Sequence, residues 1–214
     1  MLWIISGTGT GAGKTAVATA LVRALRLRRP AVGWKPIETG AAGPLGPDQQ
    51  ALLAESTFHV KQEFLNCLPL AASPHLAARD AHRALPVELW VDFANELRQS
   101  VDVVVELAGG LFTPLTDAIL NVDFVSMLRP ERHILVVPDR LGALHDAIAT
   151  TTAAATRAAS PHFILLNQVG RGSLSNLGHA PELARFVQAP VGTLAHADID
   201  VRAEALSKML FDAV

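Results

Sequence analysis

The chain has 214 residues, half of them hydrophobic, which is enough for one well-buried domain and gives no reason to expect a second. With 18 lysines and arginines against 20 aspartates and glutamates the formal charge is −2, so no electrostatic footprint for nucleic acid is expected and the partner should be small. The lone cysteine, Cys67, excludes an intrachain disulfide framework and suits the cytoplasm, and the apolar opening stretch is too short for a signal peptide or a membrane span.

The first five residues are apolar, residues 7–15 read Gly-Thr-Gly-Thr-Gly-Ala-Gly-Lys-Thr, and residues 14–27 have helical periodicity. Strand, glycine-rich loop and helix in that order are the layout of a phosphate-binding loop. Backbone N–H groups from Gly9, Gly11, Ala12, Gly13 and Ala16, with the positive end of the helix dipole, can face a triphosphate. Lys14 is expected to reach the β- and γ-phosphates and the Thr15 hydroxyl to sit on Mg2+. The spacing departs from G-x4-G-K-[ST], because position 8 is Thr8 and the first glycine, Gly7, comes one residue early.

Further apolar runs at 31–34, 101–107, 133–137, 162–166 and 191–194 read as buried parallel strands, and alanine-rich stretches at 87–99, 142–158, 180–187 and 202–211 read as helices between them. Alternation of this kind predicts an α/β fold: a doubly wound, mostly parallel sheet flanked by helices, P-loop NTPase-like, spanning 1–214 as a single domain. In such sheets ligands bind beyond the carboxyl ends of the strands, so the residues just after each run carry the argument. The Gly/Pro-rich piece 40–47 reads as an active-site loop. Cys67 reads as a small buried hydrophobe.

After the second run stands Lys35, followed by Pro36, Glu38, Thr39 and Gly40; a second cation near the phosphates would be useful there. Asp48 opens the next helix as an N-cap or as a metal ligand, and the two duties are compatible. Glu106 ends a run of buried valines, where a carboxylate needs a partner, and Gly109 and Gly110 then allow a close backbone approach. Asn167, after the fifth run, offers an amide to a base edge or forms a turn. Asp139 and Arg140 pair with each other or cap the following helix.

Taken together these segments resemble the dethiobiotin synthetases, the ATP-dependent carboxylase-cyclases of biotin synthesis. That family's loop reads Gly-Thr-Asp-Thr-x-Val-Gly-Lys-Thr, with the same five-residue gap between glycines. Lys35-Pro-Ile-Glu-Thr39-Gly40 is similar to its Lys-Pro-Val-x-Ser/Thr-Gly. Residues 73–78, Ser-Pro-His-Leu-Ala-Ala, and 106–115, Glu-Leu-Ala-Gly-Gly-Leu-Phe-Thr-Pro-Leu, are similar to its Ser-Pro-His-x-Ala-Ala and Glu-Gly-Ala-Gly-Gly-x-x-x-Pro-Leu. Leu141, Gly142, Asn167 and Gly192 continue the match.

The resemblance implies a homodimer that makes dethiobiotin from 7,8-diaminononanoate, CO2 and ATP. Lys14 would hold the β- and γ-phosphates, Lys35 and Thr10 the carbamate, and Thr39 the reacting oxygens. Thr15, Asp48 and Glu106 would complete the Mg2+ site, Asn167 would read adenine, and Gly109 and Gly110 would let nucleotide or substrate approach. His75 would cap and pack the helix after it. The chain departs from the family pattern at several of these places. Gly9 replaces the loop's acidic residue, Leu107 replaces a glycine beside the substrate channel, and His145 stands where an asparagine receives the substrate's carboxylate tail, with Asp146 beside it. Gln168 and Ala195 replace an aspartate and a proline near the base. A positioning-type ATPase switch, a related ligase with a changed substrate and a catalytically silent nucleotide binder share parts of this pattern. The first usually carries a second lysine inside the loop, and this loop has none.

Overall fold

The computed structural model describes residues 1–170 and 178–211. The first strand, β1 (Leu2–Gly7), runs into helix α1 (Lys14–Arg26), which returns to β2 (Ala31–Trp34). Two short strands follow, β3 (Ile37–Thr39) and, after α2 (Pro47–Glu55) and a single 3-10 turn at Gln62–Phe64, β4 (Asn66–Leu68). The chain continues through α3 (Pro74–Asp80), α4 (Val87–Leu97), β5 (Asp102–Glu106), α5 (Asn121–Leu128), β6 (Arg132–Pro138), α6 (Ala143–Ala155) and β7 (Phe163–Asn167). It closes with α7 (His179–Leu183), β8 (Val191–Leu194) and α8 (Ile199–Phe211).

Six strands form one parallel sheet in the order β2-β5-β1-β6-β7-β8, and β3 and β4 form a separate parallel pair. The expected doubly wound sheet is present. Not anticipated were the β3–β4 pair and α5. The period-2 alternation of the strands sorts side chains onto two faces. Leu2, Ile4, Val32, Trp34, Val103 and Val105 pack in one core with Trp90 of α4 and Phe124 of α5. Trp3, Ile5, Val104, Ile134 and Val136 pack on the other face with Val17, Leu21 and Leu25 of α1 and Leu206 of α8. β1 lies between β5 and β6, so the chain winds in opposite directions from it. The carboxyl ends of β1, β2, β5, β6 and β7 therefore open onto one crevice. Among the described residues no helix is long and apolar enough to cross a membrane.

One polar pair lies inside the sheet: the Ser6 hydroxyl meets His133 Nε2 at 2.7 Å. Burial, with His162 adding a smaller push, lowers the His133 pKa to about 4. The unfolded chain therefore takes up this proton near pH 6.5 and the folded chain does not. The contribution of His133 to stability is complete above pH 6.5 and declines as pH falls toward 4, by about 3 kcal/mol. Denaturant unfolding at pH 7.5 and pH 5 is expected to show this loss in the wild type and a smaller one in His133→Gln; equal losses would refute it.

Candidate active site

The phosphate loop is held open by glycines in the left-handed region. Gly11 has φ +77° and Gly13 φ +84°, conformations that L side chains rarely adopt. Gly13 caps α1, so the helix begins at Lys14 with its first N–H groups turned to the loop. A Cβ on Gly13 would also lie 2.1 Å from Asn167 Nδ2. Gly13→Ala is therefore expected to weaken nucleotide binding at least about tenfold, from strain and clash together, as read by calorimetric titration. Wild-type affinity in that variant would show that the loop accommodates a side chain.

Beside the loop, the two flanking strand ends deliver opposite charges. Lys35 follows β2, and Glu106 closes β5; β2 and β5 are neighbours in the sheet, so the side chains meet. Lys35 Nζ donates to Glu106 Oε1 at 2.9 Å and also to the carboxylate of Asp48. Thr15 Oγ1 donates to the same Glu106 oxygen at 2.9 Å. Glu106 is 1% exposed and Lys35 6%, while the Asp48 side chain is more open. Glu106 Oε2 is buried and has no partner among the described residues.

Burial pushes the Glu106 carboxyl above the usual carboxylate range, and Lys35 and Thr15 pull it only part of the way back. Burial would depress the Lys35 ammonium, but Glu106 and Asp48 together hold it above its ordinary value, so Lys35 stays charged. Lys14, equally buried, is lowered by desolvation, with Glu106 opposing and Lys35 adding to the drop; its Nζ donates to the Gly9 carbonyl at 2.9 Å. An orphaned buried carboxylate oxygen, a threonine hydroxyl at a helix N-terminus and a second carboxylate within reach of one lysine are the donor set that Mg2+ takes beside a triphosphate. The residues present fit the ion.

Asp48 is not the cap of its helix. Gly46 is the N-cap, and the Asp48 and Gln49 N–H groups donate to Glu38, at 3.1 and 2.9 Å. Glu38 places its charge at the positive end of α2, which frees Asp48 to face Lys35. A Cβ on Gly46 would lie 2.2 Å from the Glu38 carboxyl carbon, so glycine is required there. Gln49 ties the corner together, donating to the carbonyls of Lys35 at 3.0 Å and Asn66 at 2.9 Å. Neither Glu38 nor Gln49 was singled out from the sequence. The signal available was a glutamate in a three-residue strand, followed nine residues later by Pro47 at a helix start.

The loop after β5 packs directly on the phosphate loop: Gly110, given a Cβ, would stand 3.2 Å from the Thr8 carbonyl, and Gly109 has φ +74°. Thr10 is on the exposed rim of a cleft of about 560 Å3 lined by Gly9, Gly11, Ala12, Asp139 and Arg140. The Thr39 hydroxyl donates to the Ala72 carbonyl at 2.8 Å, and neither Thr10 nor Thr39 is hydrogen-bonded to the Lys35 cluster. Asn167 lies on the other side of the loop, where its amide is already engaged at both ends. Nδ2 donates to Ala12 O at 2.8 Å, and Oδ1 accepts from Arg202 at 2.7 Å. Ala16, Asn167 and Arg202 line a smaller cavity of about 220 Å3.

Several local expectations change. Asp139 pairs with His179 at 2.7 Å rather than with Arg140, and Arg140 pairs with Asp146 at 3.0 Å, so the Asp146 charge at the cleft is answered. Leu107 is 2% exposed and packs in the core with Leu111 and Leu115 instead of facing a channel. His145 is exposed. Ser73, not His75, is the N-cap of α3, and its hydroxyl meets His75 Nδ1 at 3.0 Å. Cys67 is half-buried, with its thiol on the Ala41 carbonyl at 3.2 Å; burial and Glu38 raise its pKa.

Among solved structures, the chain superposes on a ParA family ATPase from Chlorobium tepidum with a TM-score of 0.58 and 12% identity, covering 98% of this chain and 91% of that one. It superposes on the MinD cell division protein of Aquifex aeolicus with a TM-score of 0.56 and 13% identity, covering 96% and 88%. These likenesses show the fold alone. A family described as an AAA domain matches residues 3–196. In sequence, the chain is 34% identical over 203 residues to the ATP-dependent dethiobiotin synthetase BioD of Aromatoleum aromaticum, covering 91% of this chain and 90% of that protein. It is 40% identical over 159 residues to the protein of the same name from Xanthomonas campestris pv. campestris, covering 71% and 70%. With a parallel P-loop sheet, a Lys35–Glu106–Asp48 cluster at its carboxyl edge and relatives of this identity and coverage, the chain belongs to the ATP-dependent dethiobiotin synthetase family.

Proposed function

We propose that the protein carboxylates 7,8-diaminononanoate and closes the ring to dethiobiotin, converting ATP to ADP and phosphate. The observation that carries the reading is a buried Lys35 clamped between Glu106 and Asp48, beside Lys14 and the phosphate loop. One substrate amine adds to CO2 and loses a proton, giving a carbamate. A carbamate oxygen attacks the γ-phosphorus and ADP leaves, giving a carbamic–phosphoric anhydride. The second amine then attacks the carbonyl carbon, and phosphate departs with closure of the cyclic urea. No protein nucleophile is required, so the residues act by placing charge and holding geometry.

In this reading Lys35 neutralises the carbamate and the oxygens transferred to it, and Thr10 and Thr39 direct hydroxyls at the same group. Lys14 and the N–H groups of Gly9 to Ala16 hold the triphosphate. Thr15, Asp48 and Glu106 would hold Mg2+, which when bound neutralises phosphate oxygens. Gly109 and Gly110 would give the substrate a close approach to the loop, and Asn167 would read adenine. The working unit is a homodimer, with His145 and the start of α6 turned toward the substrate tail from the partner subunit.

The test supplies purified protein with MgATP, bicarbonate carrying labelled carbon and 7,8-diaminononanoate. Labelled dethiobiotin formed in step with phosphate is the expected result. Phosphate released on diamine addition without that product would point to a different amine as substrate and overturn the assignment.

A further inference from the structure

Asn121 opens α5 and is 1% exposed, yet its side chain does not serve that helix. Leu120 is the N-cap, and its N–H donates to Asp123 at 2.9 Å. The Asn121 amide reaches back instead to the loop after β5, where Nδ2 donates to the carbonyls of Ala108 at 2.7 Å and Gly110 at 2.9 Å. Two carbonyl acceptors around one atom identify that atom as the nitrogen. Oδ1 is buried with no partner among the described residues. A buried amide with an idle oxygen carries a desolvation cost that a leucine of similar size avoids, so the use of this residue lies in the two bonds its nitrogen makes.

Those bonds set the direction of two peptides. In a trans peptide the C=O and the N–H point in opposite directions. With the Ala108 and Gly110 carbonyls both turned to Asn121, the N–H groups of Gly109 and Leu111 face away from it. The Leu111 N–H goes to the Gly7 carbonyl at 2.9 Å, where β1 passes into the phosphate loop, and the Gly110 N–H is taken by Thr113 Oγ1 at 2.9 Å. The Gly109 N–H meets no acceptor among the described residues. Its loop lies against Thr8 and Gly9, which would stand 3.2 and 3.4 Å from a Cβ on Gly110. The same loop follows Glu106, which meets Thr15 at the end of the phosphate loop where Lys14 would reach the β- and γ-phosphates. A free N–H fixed at this edge is a preorganised donor for an anionic oxygen at the far end of a triphosphate.

We propose that Asn121 is a positioning residue: it holds the Gly109 peptide so that its N–H donates to an oxygen of the γ-phosphoryl group, and the site thereby distinguishes a triphosphate from a diphosphate. The proposal rests on the reading of the phosphate loop as a nucleotide site and is independent of the diamine.

Affinities of the full-length protein for ADP and for the β,γ-imido analogue of ATP, which keeps a γ-phosphoryl group and resists cleavage, are measured with Mg2+ by titration calorimetry for the wild type and Asn121→Leu. Asn121→Leu is expected to bind the analogue about tenfold more weakly and ADP within about twofold of the wild type. In dethiobiotin formation kcat should fall about thirtyfold, with the KM for the diamine within about threefold. The affinity ratio is read within one preparation, so partial unfolding of the variant does not alter it. A second measurement needs no variant: hydrogen exchange of the wild-type Gly109 amide, followed by NMR, is expected to slow at least about tenfold when the analogue binds and to stay unchanged with ADP. An unchanged analogue-to-ADP ratio in Asn121→Leu overturns the proposal, whether both affinities fall together, as for a residue that only supports the fold of the loop, or neither falls. Gly109 exchange that is the same with analogue and ADP also overturns it. The binding ratio and the exchange involve no diamine: both hold as expected if the protein makes no dethiobiotin, which defeats the proposed reaction alone, and dethiobiotin formed by Asn121→Leu at the wild-type rate defeats this inference alone.

Discussion

Lys35→Ala is expected to reduce the rate of dethiobiotin formation by about a hundredfold to a thousandfold while the affinity for nucleotide changes by less than about tenfold. The reasoning starts from position. Lys35 leaves β2 at the carboxyl edge of the sheet and is anchored by Glu106 and Asp48, not by the phosphate loop, whose own cation is Lys14. On the proposed mechanism, loss of Lys35 therefore removes charge where carbamate and phosphoryl oxygens would meet and leaves the loop's N–H groups and Lys14 in place. The variant also strands Glu106, which is 1% exposed, without its cation. A buried carboxylate in that state takes up a proton, so the variant is expected to be less stable by about 3 kcal/mol at neutral pH. Lys35→Arg, which restores charge but not the compact ammonium, should recover stability better than turnover. Steady-state kinetics with nucleotide titration separate these effects, and an equal fall in turnover and nucleotide affinity would contradict the division of labour between the two lysines.

The second large effect belongs to Glu106. Glu106→Gln keeps the volume of the side chain and a hydrogen-bonding partner for Thr15 but removes the charge that Lys35 meets and that the proposed Mg2+ would share. The Mg2+ concentration needed for half-maximal turnover is expected to rise by about tenfold to a hundredfold. The pH profile carries a second signature. Burial places the wild-type Glu106 carboxyl above the ordinary carboxylate range, so activity should fall on the acid side at a higher pH than a solvated glutamate would give. Glu106→Gln should lack that limb. An unshifted Mg2+ titration with the acid limb still present would move the metal role to Asp48 and Thr15.

The sequence made the main sheet legible because its strands are buried on both faces, and continuous apolar runs such as Val103–Val105 survive any window. It did not reveal β3 and β4. Each is three residues long and mixes Glu38, Asn66 and Cys67 with single apolar residues, so no period is established over that length. α5 begins after a turn held by Thr113, Thr116 and the Pro114–Leu120 bridge, a contact set invisible to local pattern. At the site, Lys14, Thr15, Lys35, Asp48 and Glu106 were legible because charged residues at the ends of buried runs need partners. What holds them was not. Glu38 accepts from Asp48 ten residues downstream, Gln49 reaches back 14 residues to Lys35, and Arg202 meets Asn167 across 35 positions. Long-range polar pairing of that kind leaves no periodicity to read.

The place of β1 in the sheet has a consequence for the order in which the protein can be made. β1 is synthesised before the other strands and is apolar from Leu2 to Ile5, yet both of its neighbours come late: Ile4 pairs with Val105 of β5 and with His133 of β6. At ribosomal speed the interval between Ile4 and Val105 is on the order of ten seconds, during which the strand has neither of its neighbours to join. The phosphate loop is attached to that strand and braced by Asn167, which is made later still. The loop thus receives its last brace only when translation has passed β7, and a chain arrested before β5 would leave the apolar strand without either neighbour.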